Sequence, residues 1–444
     1  MKRGGWLKFI LIAMLTVGLF GCNSNETPVK DILAQPKTYV GSEQCKVCHL
    51  EHYDSWKTTL HSRTLQNVTV NRDAIITDIN PEKIRGDLEK RANLLKTPVD
   101  EVYIPKVDEI KYTMGIQWRQ RYLVEKGGNL FIAPIAYNAW SHDWINYHED
   151  DWEKRPWIEK CGGCHATGVD LKKGTFVEAG VGCEACHGPA SHHVALPKTA
   201  ILDKRMTIIN PSKLPAGIRT QICGACHGSG KSTTVEGIDW PVGFLPGRAL
   251  GPYEEENDET DEEYMKSRTE SSVDTHHRQY NDWRQSVHAQ KGVSCTSCHY
   301  VHQLGLPPTQ FQTVGAGSGQ CLACHTGNTN KYAHSIHSFS NCVGCHMPRI
   351  PMNPEYGDAL RHTFKVMTPE ASIKAGGNDV LPNACSSCHY HKNMPLETLA
   401  GFLEAARKKD IPVPFSVHRR SSTFGSTTQR SKTQNTEADE KGGS

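Results

Sequence analysis

Apolar residues recur with a helical period in only a few stretches of this chain. The clearest stretch runs from Pro395 to Lys409 and predicts an amphipathic helix. Its apolar face consists of Leu396, Leu399, Phe402, Leu403 and Ala406. A second helix is expected from Ser42, an N-cap residue type, through His61, and a charged helix over residues 72–98.

One stretch alternates with the period of a β-strand instead. From Ile110 to Asn138, apolar and polar residues alternate on both sides of the turn Lys126-Gly127-Gly128-Asn129, which predicts a β-hairpin. Its aromatic residues are expected to form a packed face, not a substrate site. They are Trp118, Tyr122, Phe131 and Tyr137.

The N-terminus reads as an export signal. A basic start is followed by an apolar run from Phe9 to Phe20, and Leu19-Phe20-Gly21-Cys22 resembles a lipoprotein cleavage site. We therefore expect cleavage before Cys22 and a lipid on that residue. The alternatives are a plain secretory signal that ends in a stray cysteine, and a membrane-spanning helix, for which the run is short.

Eight copies of C-x-x-C-H account for 16 of the 17 cysteines and leave only Cys22. In c-type cytochromes the two thiols of this motif form thioethers with haem, and the histidine binds the iron. Disulfides or zinc sites would not explain a histidine after every pair. We number the predicted sites 1 to 8 along the chain: Cys45/Cys48/His49, Cys161/Cys164/His165, Cys183/Cys186/His187, Cys223/Cys226/His227, Cys295/Cys298/His299, Cys321/Cys324/His325, Cys342/Cys345/His346 and Cys385/Cys388/His389.

The composition agrees with a chain built around cofactors. Only 37% of the 444 residues are hydrophobic, which is thin for a core of this size, and eight covalently attached haems would supply the missing apolar bulk. The expected fold is mainly α with extensive coil, wrapped around a haem chain, with the small hairpin near 110–138. The formal charge of +2 gives no reason to expect nucleic acid.

Each iron also needs a sixth ligand, and imidazole is the commonest donor. The sequence offers 15 histidines outside the motifs. Our assignment is His61, His148, His193, His277, His288, His302, His337 and His362. The histidines held in reserve are His52, His142, His192, His276, His334 and His391. Met347 directly follows His346, so it cannot readily reach the opposite face of that iron and is expected to pack.

An internal repeat lies outside the motifs. Tyr53, Trp56 and His61 recur with identical spacing as Tyr280, Trp283 and His288. A histidine just upstream of a haem motif is well placed to reach another haem. The repeat therefore supports His61 and His288 as ligands.

The segments CKVCHLEHYDSWKTTLH, GVGCEACHGPASHHV and YNDWRQSVHA resemble those of multihaem cytochromes c, the superfamily of the tetrahaem electron acceptor of ammonia oxidisers and its octahaem relatives. The resemblance covers about residues 40–392. It implies parallel and perpendicular haem pairs in a mainly helical and coil fold. It also implies these axial ligands: His61, His193, His288, His302 and His362. The family includes hydroxylamine, nitrite and tetrathionate enzymes. This chain lacks the C-x-x-C-K motif of the nitrite reductases, which weakens the nitrite alternative and leaves the other two open.

The resulting hypothesis is an exported, lipid-anchored octahaem cytochrome without catalytic residues, held in the periplasm or at the outer membrane or cell surface. It relays electrons between redox partners, such as cytochromes and quinol-oxidising or outer-membrane complexes, and extracellular acceptors. The alternatives are an octahaem oxidoreductase for a nitrogen or sulfur compound at one five-coordinate haem, and a filament subunit. The acidic block Glu254–Glu263 is a solvated loop or a docking patch.

The expected organisation follows the motifs. A signal peptide (1–21) and a tether (22–40) precede a segment with haem 1 and the hairpin (41–150), then haems 2–4 (151–250). An acidic loop (251–275), a segment with haems 5–8 and the final helix (276–415), and a disordered tail (416–444) complete the chain.

Overall fold

The computed structural model describes residues 28–256, 278–302, 312–315, 317–326, 334, 342–348, 360–387 and 391–408. Within them the chain combines short helices with small antiparallel sheets. The helices are α1 Val29–Leu33, α2 Ser42–Lys46, α3 Leu50–Lys57, α4 Pro81–Glu89, α5 Gly163–His165, α6 Cys183–His187, α7 Ser191–Ala195, α8 Ile201–Met206, α9 Ala216–His227, α10 Gln279–Arg284, α11 Val287–Gln290, α12 Gly319–Leu322, α13 Cys342–His346, α14 Pro369–Ala375 and α15 Leu396–Lys408. The strands are β1 Leu65–Asn67, β2 Ile110–Met114, β3 Arg119–Lys126, β4 Asn129–Asn138, β5 Asp143–Asn146, β6 Ala166–Thr167, β7 Glu178–Ala179, β8 Gly230–Ser232 and β9 Glu254–Glu256.

The predicted hairpin is present, but it is the centre of a larger sheet. Strands β1 to β5 form one antiparallel sheet in chain order, with Lys126 opposite Asn129 at the hairpin turn. Gly127 and Gly128 occupy positive φ there (56° and 80°), as a tight two-residue hairpin requires. Tyr122, Phe131 and Tyr137 are buried as expected.

The sheet carries most of the apolar core among the described residues. One buried cluster joins α4 to the sheet through Ile84, Leu88, Tyr122 and Trp144. A second cluster, on residues such as Leu65 and Trp157, leads from the sheet toward motif 2. Haem motif 2 therefore begins at the edge of the apolar core that the sheet forms.

Two predicted helices are broken by local chemistry. The expected helix over 72–98 is wrong, because the α-helical part spans only Pro81–Glu89. Asn80 caps it by accepting hydrogen bonds from Glu82 N and Lys83 N, and proline favours the first helical position. The helix expected from Ser42 to His61 is also interrupted, between α2 and α3. The N-cap of α2 is Gly41 and not Ser42 as predicted. The Ser42 hydroxyl donates a hydrogen bond to Glu178.

The C-terminal helix is confirmed as α15, Leu396–Lys408, which packs against α14. Leu399 and Ala406 are buried, but Phe402 is 57% exposed. The tail expected to be disordered lies outside the described residues. No helix in the described ranges is long and apolar enough to span a bilayer.

Candidate haem-binding sites

Haem motifs 1 to 7, which the structure describes in full, lie on short helical turns. In motifs 1, 5 and 6 the backbone N–H of the histidine donates to the carbonyl of the first cysteine at 2.9 Å. One turn places residues i, i+3 and i+4 on the same side of the backbone. The two thiols and the imidazole therefore face one direction, as attachment to one porphyrin requires.

Six motif histidines face a second imidazole across a nearly constant gap. Two metal–nitrogen bonds of about 2 Å each, together with the two ring radii, place axial imidazoles on one iron roughly 6 Å apart between centroids. The observed pairs are His49–His193 (6.4 Å), His61–His227 (6.1 Å), His187–His302 (6.3 Å), His288–His325 (5.8 Å), His299–His362 (6.3 Å) and His334–His346 (6.3 Å). The donor set of the protein therefore fits six-coordinate haem at six of the eight motifs.

Hydrogen bonds at Nδ1 orient several of these rings. Nδ1 lies 2.7 Å from Ile209 O in His187, 2.9 Å from Lys204 O in His193 and 3.1 Å from Phe364 O in His346. A carbonyl partner requires Nδ1 to carry the proton. The unprotonated Nε2 then faces the other ring, where a metal would bind.

Burial favours the neutral form of His61, His165 and His362. It lowers the pKa of His61 and of His362 to about 4, with smaller contributions from neighbouring histidines. The pKa of His165 is also lowered to about 4, first by burial and then by the positive charge of Arg121. The neutral ring is the form that binds a metal.

The predicted sixth ligands divide into three groups. His61, His193, His288, His302 and His362 each face a motif histidine. The ring opposite His346 belongs to His334, which was held in reserve. His148 packs edge-on against Tyr147 at 4.7 Å between ring centroids, and its Nδ1 lies 3.4 Å from Asp151 Oδ1. The remaining positions lie outside the described residues: Cys22, His277, His337, Cys388 and His389.

Thiols from different motifs lie close enough to shift one another's pKa, which shows which motifs are neighbours. The pairs that interact most strongly are Cys45–Cys183, Cys164–Cys226, Cys223–Cys295 and Cys321–Cys342. Weaker electrostatic coupling links Cys186 to Cys223, and Cys298 to Cys324. The motifs therefore follow one another in space as 1, 3, 4, 5, 6 and 7, with motif 2 against motif 4.

Two carboxylates, one buried and one half-buried, join motif 1 to motif 3. Glu184, inside motif 3 and 1% exposed, accepts hydrogen bonds from the backbone of Val40, Gly41 and Ala190. Ser42 Oγ donates to Glu178 at 2.7 Å and accepts from Cys183 N at 3.0 Å. Neither Glu178 nor Glu184 was predicted from the sequence. The only sequence signal for Glu184 is an acid between two haem-binding cysteines.

The glycines within motifs 2 and 4 allow aromatic rings to pack against the motif backbone. A Cβ on Gly163 would lie 2.1 Å from the Trp240 ring, and one on Gly224 would lie 2.8 Å from the Tyr280 ring. The two turns also touch each other, with Cys164 Sγ 3.8 Å from Ala225 O. This packing explains why the two motifs read C-G-G-C-H and C-G-A-C-H.

The sequence repeat forms the same structural unit twice. Trp56 Nε1 donates to Val181 O, and Trp283 Nε1 donates to Val293 O, both at 2.9 Å. Each valine lies two residues before a motif. Its N–H donates, again at 2.9 Å, to the carbonyl of the repeat histidine, His61 or His288. Each unit thus holds its histidine beside the motif that the valine precedes: His61 beside motif 3, and His288 beside motif 5.

The alternatives to haem find no support in the described part of the chain. There, no disulfide joins two cysteines, and no three His, Cys, Asp or Glu side chains converge as a metal-ion site requires. The turns that carry C-x-x-C-H and the facing imidazoles together define a c-type cytochrome with several covalently attached haems.

Comparison with known proteins agrees with that class. Residues 148–325 match the cytochrome c552 family model, and residues 44–99 match the model of cytochrome c554 and c-prime. A cytochrome c-552 of Aliarcobacter butzleri is 22% identical over 355 residues, covering 72% of this chain and 64% of that protein. The cytochrome c nitrite reductase subunit NrfA of Nitratidesulfovibrio vulgaris is 26% identical over 195 residues, covering 38% and 36%.

The fold also has a solved counterpart. The outer cell wall cytochrome OcwA aligns over 83% of this chain and 86% of its own, with a TM-score of 0.61 and 20% identity. The curated relatives are matched over only 26% to 64% of their own length. The likeness therefore establishes a multihaem cytochrome fold, whereas activity and partners are matters of proposal.

Proposed function

We propose that this protein is an octahaem electron relay in which imidazole binds both faces of each iron. The six imidazole pairs near 6 Å are the observation that carries this proposal. Haem supplies reversible one-electron chemistry when it is bound. The chain supplies oriented imidazoles that would hold each iron on both faces and leave no coordination position for a substrate.

The spatial order of the motifs supports a relay with two ends. Cys48, Cys324 and Cys345 are exposed, and they belong to motifs 1, 6 and 7. The thiols of motifs 3 and 4 are more buried. We propose that electrons enter and leave at motif 1 and at motifs 6 and 7, and that redox proteins or extracellular acceptors dock there.

The proposed location is outside the cytoplasm, with a lipid on Cys22 as the attachment. Haem attachment through C-x-x-C-H and the apolar Phe9–Phe20 run support export. The similar OcwA fold is that of an outer cell wall cytochrome, which supports a place at the cell surface.

Electron paramagnetic resonance and ligand binding on the purified holoprotein test the relay. We expect the mass of the protein to include eight haems. The oxidised protein should give low-spin ferric signals alone, and the reduced protein should not bind carbon monoxide rapidly. A stoichiometric high-spin haem that binds carbon monoxide would contradict the proposal. That result would favour an oxidoreductase for a small nitrogen or sulfur compound, the class to which the similar NrfA belongs.

A further inference from the structure

Helix α8 presents its apolar side chains to solvent. Ile201, Leu202 and Met206 are 57%, 73% and 86% exposed, and Arg205 lies among them. A rotation of 100° per residue places these four side chains on one side of the helix, and Asp203 with Lys204 on the other. We call the four exposed residues the α8 face. Exposed apolar clusters of this kind mark interaction sites.

The opposite side of α8 is fixed to the predicted sixth ligand of motif 1. The carbonyl of Lys204 lies 2.9 Å from Nδ1 of His193, and Lys204 Nζ donates to the carbonyl of His193 at 2.5 Å. The α8 face therefore points away from the His49–His193 pair while lying one helix thickness from it. Whatever covers this face is brought close to one end of the row of motifs.

The surroundings of the α8 face are apolar and mostly basic. Leu33 on α1 and Val194 on α7 are 41% and 40% exposed. Lys30 on α1 and Lys198, three residues before α8, are exposed, as is one acid on α1, Asp31. Exposed apolar side chains together with Lys and Arg suit the headgroup layer of an anionic bilayer.

The proposed lipid on Cys22 lies close in sequence to the helices that pack beside α8. Helix α1 packs on α7, and Thr38 N donates to Ser191 Oγ at 2.9 Å. Cys22 stands six residues before Pro28, where the described chain begins. Six residues span at most roughly 20 Å. A lipid on Cys22 would hold Pro28, at the start of the segment that packs on α7, within that distance of the bilayer, and α7 in turn packs on α8.

We propose that the α8 face rests on an anionic phospholipid bilayer and turns motif 1 toward the membrane. This inference rests on the proposed lipid attachment at Cys22. In this orientation motif 1 serves a donor within the membrane, and motifs 6 and 7 serve partners away from it.

The oxidation rate of Met206, measured by peptide mass spectrometry, tests the contact. The full-length lipidated holoprotein is reconstituted in phosphatidylcholine vesicles with or without phosphatidylglycerol and treated with hydrogen peroxide. We expect Met206 to be protected on the anionic vesicles only, and Met394 to react equally on both. Leu202→Asp should reduce the protection about tenfold or more, because burial of one leucine is worth that factor in binding.

The matched control is Phe402→Asp, an exposed apolar position on α15 (57%), which should leave the protection unchanged. Equal oxidation of Met206 on both vesicles would overturn the inference. Protection that appears without lipid as protein concentration rises would also overturn it, and would assign the face to a second copy of the chain. If the N-terminal peptide carries no lipid, the Cys22 attachment fails, and vesicle sedimentation of the same protein still tests the α8 face. A failed relay would appear separately, as a high-spin haem.

Discussion

At the scale of single residues, the site depends on imidazoles that are neutral, oriented and paired. Burial lowers the pKa of His61 and of His362, and a carbonyl partner such as Ile209 O at His187 fixes the ring orientation through Nδ1. His192 and His193 show how much environment decides. They are adjacent in sequence, but His192 Nε2 lies 2.8 Å from Gln35 O, whereas the ring of His193 lies opposite that of His49 with the ring centroids 6.4 Å apart.

Replacing one of these neighbours should therefore open an iron and replacing the other should not. We expect His193→Ala to convert one haem in eight to a high-spin centre that binds one carbon monoxide when reduced. His192→Ala should keep all haems low-spin. Electron paramagnetic resonance and carbon monoxide titration measure the difference. Low-spin spectra in both variants would remove His193 from the ligand set.

Glu254 provides a test of pH dependence. Burial raises the pKa of its carboxyl to about 7 from 4.5, and the charge of Arg284 opposes the shift. Between these two values the folded protein keeps a proton that the unfolded chain loses. Stability should therefore fall as pH rises from 4.5 to 7, by at most about 3 kcal/mol, and stay lower above pH 7.

Glu254→Gln should remove this dependence. Thermal unfolding midpoints should match those of the unmodified protein at pH 4 and exceed them at pH 8. Glu255→Gln, at the exposed neighbouring position, should change neither value. A pH profile of Glu254→Gln that parallels the original would show that another group is responsible.

At the scale of elements, α9 shows how a motif is supported from its non-haem side. Gly224 lies inside motif 4, where a Cβ would come within 2.8 Å of the Tyr280 ring, whereas nothing lies within 4 Å of the corresponding position at Gly217. Tyr280 belongs to the repeated Tyr-Trp-His unit. The helix that carries motif 4 and the repeat before motif 5 are thus packed together.

The two glycines of α9 make a matched pair for mutation. Gly224→Ala should destabilise the protein by about 1–3 kcal/mol, because the ring and the helix must separate. Gly217→Ala should stabilise it by up to about 1 kcal/mol through helix propensity. Denaturant unfolding of the holoproteins measures both. Equal changes in the free energy of unfolding would show that the Tyr280 ring can move aside without destabilising the protein.

The sequence predicts local features better than pairings. The hairpin at Lys126–Asn129 and helix α15 are visible because each follows from a short-range pattern. The choice of His334 opposite His346 is not visible, because it depends on how distant segments pack. Ser42 reads as an N-cap in sequence, but its hydroxyl binds Glu178, a residue 136 positions away.

At the scale of the whole molecule, the proximity of the thiols places motifs 1 and 3 to 7 in one row, with motif 2 as a side branch. Motif 5 lies between motif 4, through Cys223–Cys295, and motif 6, through the coupling of Cys298 to Cys324. Motif 2 touches motif 4 through Cys164 and Cys226. In this arrangement motif 5 is a necessary step between the two ends, whereas motif 2 is not.

Removing single haems should reveal this difference. A variant with Cys295→Ala and Cys298→Ala should lose rapid electron exchange between the two ends, so that reduction by dithionite becomes biphasic in stopped-flow spectra. A variant with Cys161→Ala and Cys164→Ala should lack one haem as well but keep a single fast phase, because the row stays continuous. Mass spectrometry establishes that each variant has lost one haem, and thermal unfolding establishes that it is folded. Biphasic reduction of the motif 2 variant, with a single phase for the motif 5 variant, would reverse the assignment of row and branch.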